Sequence, residues 1–166
     1  IERYTGERIG RGEKGQALLM DGQGLETEPA IYCDGLYVVP HGDGTIAVGS
    51  TSDRAFADAA PAPARSTELV ERATRFCPRL SGRKVLSDWA GIRPRCHKRD
   101  PLVGRLPGHG RLYAATGGYK ISFGIAHLIA DCLVAEITQE SAQHKLPQTF
   151  EPKHHFGENR LDSDKF

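Results

Sequence analysis

Arginine ends one apolar stretch and is followed at once by proline, in Gly91-Ile92-Arg93-Pro94. Proline fixes its own φ and pushes the preceding residue toward extended backbone, so a guanidinium placed there leaves the strand end in a set direction. Such an arginine can offer a carboxylate two parallel N–H donors, a geometry that lysine cannot copy. An ordinary surface ion pair would use the same residues, and spacing alone leaves both open. The second candidate is Thr116-Gly117-Gly118-Tyr119-Lys120-Ile121-Ser122-Phe123-Gly124, set between a short strand and an apolar helix. Glycines let a ligand approach bare backbone, and a helix N-terminus presents roughly half a positive charge to an anion. A plain strand-to-helix turn has the same composition. Arg95, His97, Lys98 and Arg99 form a basic loop just after the arginine, suited either to an acidic substrate or simply to water.

Other chemistries find less support. Gly10-Arg11-Gly12-Glu13-Lys14-Gly15 matches G-x-G-x-x-G, with Asp34 near where a ribose-binding acid would sit. A dinucleotide loop needs a strand before it and a helix after it, because the helix amides hold the pyrophosphate. Here a short strand and a turn follow, so the match is read as a charged loop. His154-His155 lack partners at metal-ligand spacing, and no metal is expected. No Gly-x-Ser-x-Gly elbow is present, so a hydrolase triad has no basis. Cys33, Cys77, Cys96 and Cys132 never form a Cys-x-x-Cys pair and are expected to be buried free thiols.

These groups must be positioned by a chain of 166 residues, 39% hydrophobic, which suffices for one core or for a piece of a larger protein. A net charge of +1 gives no electrostatic case for nucleic acid. No apolar run is long enough to span a membrane and no signal-peptide stretch opens the sequence, so a cytoplasmic protein is expected. Nineteen glycines and ten prolines point to short strands and tight turns. Strands are predicted at 16–20, 31–40, 45–50, 85–93 and 112–116. Ser66 is predicted to N-cap an amphipathic helix whose apolar face is Leu69, Val70, Ala73, Phe76 and Cys77, ended by Pro78. From Ile125 to Ile137 the chain is apolar almost all round, as in a helix buried against much more protein. Residues 141–166 read as a loosely packed polar tail.

Taken in order, several pieces resemble the C-terminal half of the flavin-dependent D-amino acid oxidase superfamily, especially its glycine oxidase and sarcosine oxidase-like members. They are Arg11-Gly12-Glu13-Lys14-Gly15-Gln16, Tyr37-Val38-Val39-Pro40, Val48-Gly49-Ser50-Thr51, Trp89-Ala90-Gly91-Ile92-Arg93-Pro94, Pro101-Leu102-Val103-Gly104 and Leu112-Tyr113-Ala114-Ala115-Thr116-Gly117-Gly118-Tyr119. The resemblance implies an α+β fold: a mainly antiparallel substrate-binding sheet with a flanking helix over 1–111, then the last strand, glycine turn and C-terminal helix of an FAD-binding domain over 112–140, with 141–166 as tail.

It also implies the roles. Arg93 would clamp a substrate carboxylate, Tyr37 would reach that carboxylate with its hydroxyl, Tyr32 would wall the pocket, and Lys120 would act electrostatically or on substrate. Gly117, Gly118, Tyr119, Lys120, Ile121, Ser122, Phe123 and Gly124 would border FAD. The implied reaction moves hydride from Cα of a small amino or hydroxy acid to flavin N5, with no catalytic protein nucleophile. The N-terminal FAD-binding half is missing from the sequence, so the chain alone is expected to be inactive, with an apolar face that could pair two copies. The alternative is a non-catalytic sheet module or assembly subunit that binds a partner protein. Gly118, Ile121-Ser122 and His127 depart from the family pattern, which leaves electron acceptor and substrate size open.

Overall fold

The structure is a computed structural model that describes residues 1–120 and 122–156. The chain divides into two compact units, one comprising Glu13–Ile92 and the other Ile1–Gly12 with Arg93–Phe166. The fold is α+β with mostly antiparallel sheet.

The first unit is built on a five-stranded sheet of order β2-β3-β4-β1-β5, in which β1 is Gly10–Asp21, β2 Ile31–Cys33, β3 Leu36–Pro40, β4 Thr45–Gly49 and β5 Val85–Cys96. The outer parts of β1 and β5 continue into the other unit. Alternation sorts the side chains: Leu18 and Met20 face the same way as their partners Val48 and Ile46, and Val38 stands opposite Val48. All five are buried under helix α2, Pro63–Phe76, which contributes Leu69 and Ala73.

Three expectations change here. The run 31–40 is not one strand but a hairpin, because Asp34 and Gly35 both adopt positive φ (48° and 75°), as a two-residue primed turn requires. Helix α2 begins at Pro63, a residue suited to the first turn, and Ser66 lies inside it. Its hydroxyl instead donates to Asp88 Oδ2 at 2.5 Å and accepts from Gln16 Nε2 at 2.7 Å. The glycine match at 10–15 is neither a charged loop nor a dinucleotide loop, since it lies within β1. Glu13 and Lys14 are buried: Glu13 faces Arg54 at 3.8 Å, and Lys14 exchanges backbone hydrogen bonds with Asp53 while its ammonium meets Ala60 O.

The second unit holds a two-stranded antiparallel ladder of β6, Leu102–Arg105, and β7, Tyr113–Thr116, with Leu102 opposite Thr116. Helix α3, Ser122–Thr138, packs Ile125, Ile129 and Leu133 toward Val103. Spacings of four residues put those three on one helical face. The opposite face stays bare: Phe123 is 93% exposed, and Val134 and Ile137 are about half exposed. A single turn, α1 (Glu2–Thr5), opens the chain.

Over 141–147 the tail is irregular and almost wholly exposed, as expected, but over 148–156 it is not loose. Gln148–Phe150 forms a 3-10 turn and Pro152–His155 a helical turn, α4, and Phe150, His155 and Phe156 are buried. The expectation of buried thiols holds only for Cys96. Cys33 is exposed, Cys77 and Cys132 are intermediate, and all four are free. No helix among the described residues is long and apolar enough to cross a membrane.

Candidate functional site

Strand β5 runs on past Arg93 and meets the glycine turn. Tyr119 N–H donates to Pro94 O and Cys96 N–H donates to Gly117 O, each at 3.0 Å, around an antiparallel bridge of Arg95 with Gly118. The two segments that the sequence singled out therefore share one piece of backbone ladder. Arg93, half-buried, is one residue from that ladder. Tyr119 is held at φ 53°, a left-handed conformation that costs a non-glycine residue of the order of 1 kcal/mol and persists only when neighbours over-determine it. Its ring carries Arg95 Cζ at 5.1 Å and Lys120 Nζ at 5.4 Å from the centroid, two cation–π contacts that bring positive charge to the corner.

Both glycines are required by what lies behind them. Gly117 has φ 81°, and a Cβ there would stand 2.0 Å from Cys96 Sγ. At Gly118 a Cβ would meet Ser122 Cβ at 2.5 Å and Pro101 Cγ at 3.0 Å. Burial pushes the Cys96 thiol upward, so it stays a neutral packing group and not a nucleophile. In front of the corner lies an apolar groove of about 550 Å³, lined by Pro94, Thr116, Gly117, Tyr119, Ser122 and Phe123 and continued along α3 by Ala126, Ile129, Ala130 and Leu133. That volume lies in the range of small-molecule sites.

Of the expected residues, the structure gathers Gly117, Gly118, Tyr119, Lys120, Ser122 and Phe123 at this corner. Ile121 lies outside the described residues. The helix begins at Ser122, earlier than expected, so Phe123 and Gly124 belong to its first turn and not to a loop, and Gly124 has no neighbour within 4 Å of where its Cβ would be. Tyr37 and Tyr32 lie in the other unit as a cross-strand pair of β3 and β2, rings 4.5 Å apart and both more than half exposed. The basic loop is partly committed: Arg95 stacks on Tyr119, and the Lys98 ammonium is held by His154 O. Among the described residues no cluster of three or more potential ligands could hold a metal. Sequence reasoning missed Cys96 and Pro101 as the backing of the two glycines. Pro101 stood in a quoted motif, but only three-dimensional packing shows what it touches.

Comparison with known proteins follows the same outline. The profile of the family described as "DAO: FAD dependent oxidoreductase" matches residues 4–135. A glycine oxidase of Pseudomonas putida is 34% identical over 107 residues, which is 64% of this chain and 29% of that protein. A glycine oxidase of Pseudomonas aeruginosa is 29% identical over 124 residues, 72% of this chain and 34% of that protein. The chain thus spans about a third of the length of the curated relatives it matches. Among solved structures, glycine oxidase from Geobacillus kaustophilus superposes with TM-score 0.82 at 20% identity, over 94% of this chain and 42% of that one. Iminodiacetate oxidase from Chelativorans gives 0.78 at 19% identity, over 88% and 40%. These two likenesses speak to the fold.

Proposed function

This chain belongs to the DAO family of FAD-dependent oxidoreductases, and from that we propose that it supplies the substrate sheet and one wall of the flavin site in a longer enzyme that oxidises a small amino acid, or a hydroxy acid, at Cα. The family's cofactor is FAD, and the groove fits one end of it. An apolar cleft beside bare glycine backbone suits a ring edge, while its described lining contains no lysine or arginine for the diphosphate. The diphosphate is then held by the FAD-binding half that this sequence lacks. When bound, the flavin supplies a two-electron acceptor for the hydride.

The chain's own residues do the positioning. Arg93 holds the substrate carboxylate through its paired N–H donors and so fixes where Cα–H points, which is where much of the rate gain in such reactions arises. To Tyr37 we assign a hydroxyl contact to the substrate carboxylate, and to Tyr32, packed against its ring at 4.5 Å, the pocket wall. Lys120 and the positive end of α3 favour negative charge at the corner, while Phe123, Ala126 and Ala130 exclude water along the groove. Because Lys98 is tied to His154 O and is not available to a second carboxylate, a monocarboxylate suits the site better than a dicarboxylate. The curated relatives named glycine oxidase support a small amino acid.

One observation carries the proposal: the Arg95–Gly118 bridge, which sets the end of Arg93's strand beside the glycine corner. The exposed Val85, Leu86, Trp89 and Ile92 of β5 and the bare face of α3 are what the missing half covers. Alone the chain is inactive. A cytoplasmic setting suits the exposed free thiol of Cys33. The test is the visible spectrum of the purified full-length gene product with added FAD, followed by turnover of glycine and other small amino acids. Flavin bands and substrate bleaching are expected. A protein that stays colourless, with this chain forming a tight homodimer by sedimentation, would favour the alternative of a non-catalytic module that uses its apolar face to bind another protein.

A further inference from the structure

We propose that the C-terminal segment Gln148–Phe156 is a strap that sets the shape of the glycine corner, with Phe156 and His155 as its positioning residues. Only the strap's effect on FAD rests on the flavin proposal. The strap itself rests on packing.

The family profile ends at residue 135, so this segment lies past the matched stretch of sequence. It is nonetheless fastened, by its last residues mainly to the stretch after β5 and by Phe150 to β6 and α3. Lys98 donates to His154 O. His155 Nε2 lies 3.1 Å from Pro101 O in a buried contact, so Nε2 carries the proton and donates. The Phe156 ring is fully buried in one cluster with Cys96, Leu102 and Leu106. Phe150 anchors the start of the segment against Val103 and Ile129.

The stretch that receives these contacts, 96–102, is the one that backs both glycines. Cys96 fills the space where Gly117 would carry a Cβ, Pro101 together with Ser122 fills that of Gly118, and Leu102 pairs with Thr116. Close-packed interiors transmit strain, and a void behind Cys96 would let its side chain retreat from Gly117. Tyr119, which needs its surroundings to stay at positive φ, would then be released. The strap meets the groove lining from behind, at Pro101 and Ile129, and it reaches the glycine corner through Cys96 and Pro101.

The test compares Phe156→Ala, Phe156→Leu and wild type in the full-length gene product. Hydrogen exchange is read at the Cys96 and Tyr119 amides, which close the corner, and at Leu18 and Val48 in the β1–β4 ladder, which does not involve the strap. Phe156→Ala is expected to speed exchange at Cys96 and Tyr119 roughly tenfold, with the Leu18 and Val48 amides unchanged and the Kd for FAD raised by a similar factor. Phe156→Leu, which refills most of the volume, restores both. Lys98→Met, which cuts only the outer tie to His154, serves as the milder variant should Phe156→Ala not fold, and gives the same pattern at smaller amplitude. Unchanged exchange at Cys96 and Tyr119, or equal acceleration at all four amides, would overturn the strap. If the corner amides respond as expected in a protein that takes up no FAD, the strap stands and the flavin proposal falls.

Discussion

Replacing Gly117 with alanine tests the corner most directly, because two separable penalties meet there. The first is conformational. At φ 81° an L-residue's Cβ crowds its own carbonyl, which costs about 1–2 kcal/mol whatever surrounds it. The second is steric: the new methyl would stand 2.0 Å from Cys96 Sγ, and Cys96 is held in a cluster with Leu102, Leu106 and Phe156. Forcing a methyl into such packing costs about 1–3 kcal/mol. Gly117→Ala should therefore destabilise by about 2–5 kcal/mol, read as a lowered urea midpoint by circular dichroism at unchanged slope. Cys96→Ala removes the sulfur and leaves the nearest Cys96 atoms 3.2 Å from the added methyl. In that background Gly117→Ala should cost only the conformational part, about 1–2 kcal/mol, so the cycle should return a coupling of about 1–3 kcal/mol. Additive effects would refute the packing argument and reduce Gly117 to an ordinary turn glycine.

Three further outcomes are expected. Arg93→Met in the full-length enzyme should lower kcat/KM by roughly 30- to 1,000-fold, corresponding to about 2–4 kcal/mol for a lost charge-assisted carboxylate contact, with Arg93→Lys recovering only part of it; unchanged kinetics would return Arg93 to a surface role. Acidification should loosen the strap: burial holds the His155 imidazole below its ordinary value, its Nδ1 is buried without a partner among the described residues, and His154 and Lys98 add positive charge nearby. Because the unfolded chain takes up the proton first, stability should be full above about pH 6.5 and fall as pH drops toward the folded value, and His155→Asn should flatten that stretch of a pH-dependent urea series. Phe123→Ser should change the stability of the isolated chain by no more than about 0.5 kcal/mol, since the ring is 93% exposed; if the proposed FAD-binding half covers it, the same change should weaken the full-length protein by about 1.5–3 kcal/mol, and equal small effects in both would deny that cover.

What could be read in advance follows the range of the interactions concerned. Strands β3, β4 and β7 and helix α2 were legible because period-two and period-3.6 patterning is local. The Asp34-Gly35 hairpin carried a clear turn signal inside a run that looked continuous, and the signal was outweighed by apolar length. Strand β1 extends over Glu13 and Lys14, which sequence alone places in water, because Arg54, Asp53 and Ala60, more than 35 residues away, satisfy their charges and backbone. The tail misled for a related reason. Its two prolines and many polar residues describe its solvent side, while its hold on the protein comes from Phe150, His155 and Phe156, three side chains too few to form a pattern. Arg93 and the glycine turn were both visible, but their adjacency depends on a bridge between residues 95 and 118 that no local rule encodes.

The bare face of α3 links these points. Fully covering an aromatic or aliphatic side chain is worth about 1.5–3 kcal/mol, so covering Phe123, Val134 and Ile137, two of them already half buried, would return roughly 3–6 kcal/mol. A typical domain's net stability is only about 5–15 kcal/mol, so this is a large share of it. Phe123, Ala126 and Ala130 belong both to that exposed side of the helix and to the lining of the groove beside Gly117. If the proposed FAD-binding half seats on α3, it completes the groove, and a planar ligand that fills the groove adds surface for that half to seat on. Each stabilises the other through the same atoms, so cofactor loading and assembly of the two halves should be thermodynamically linked and not independent events.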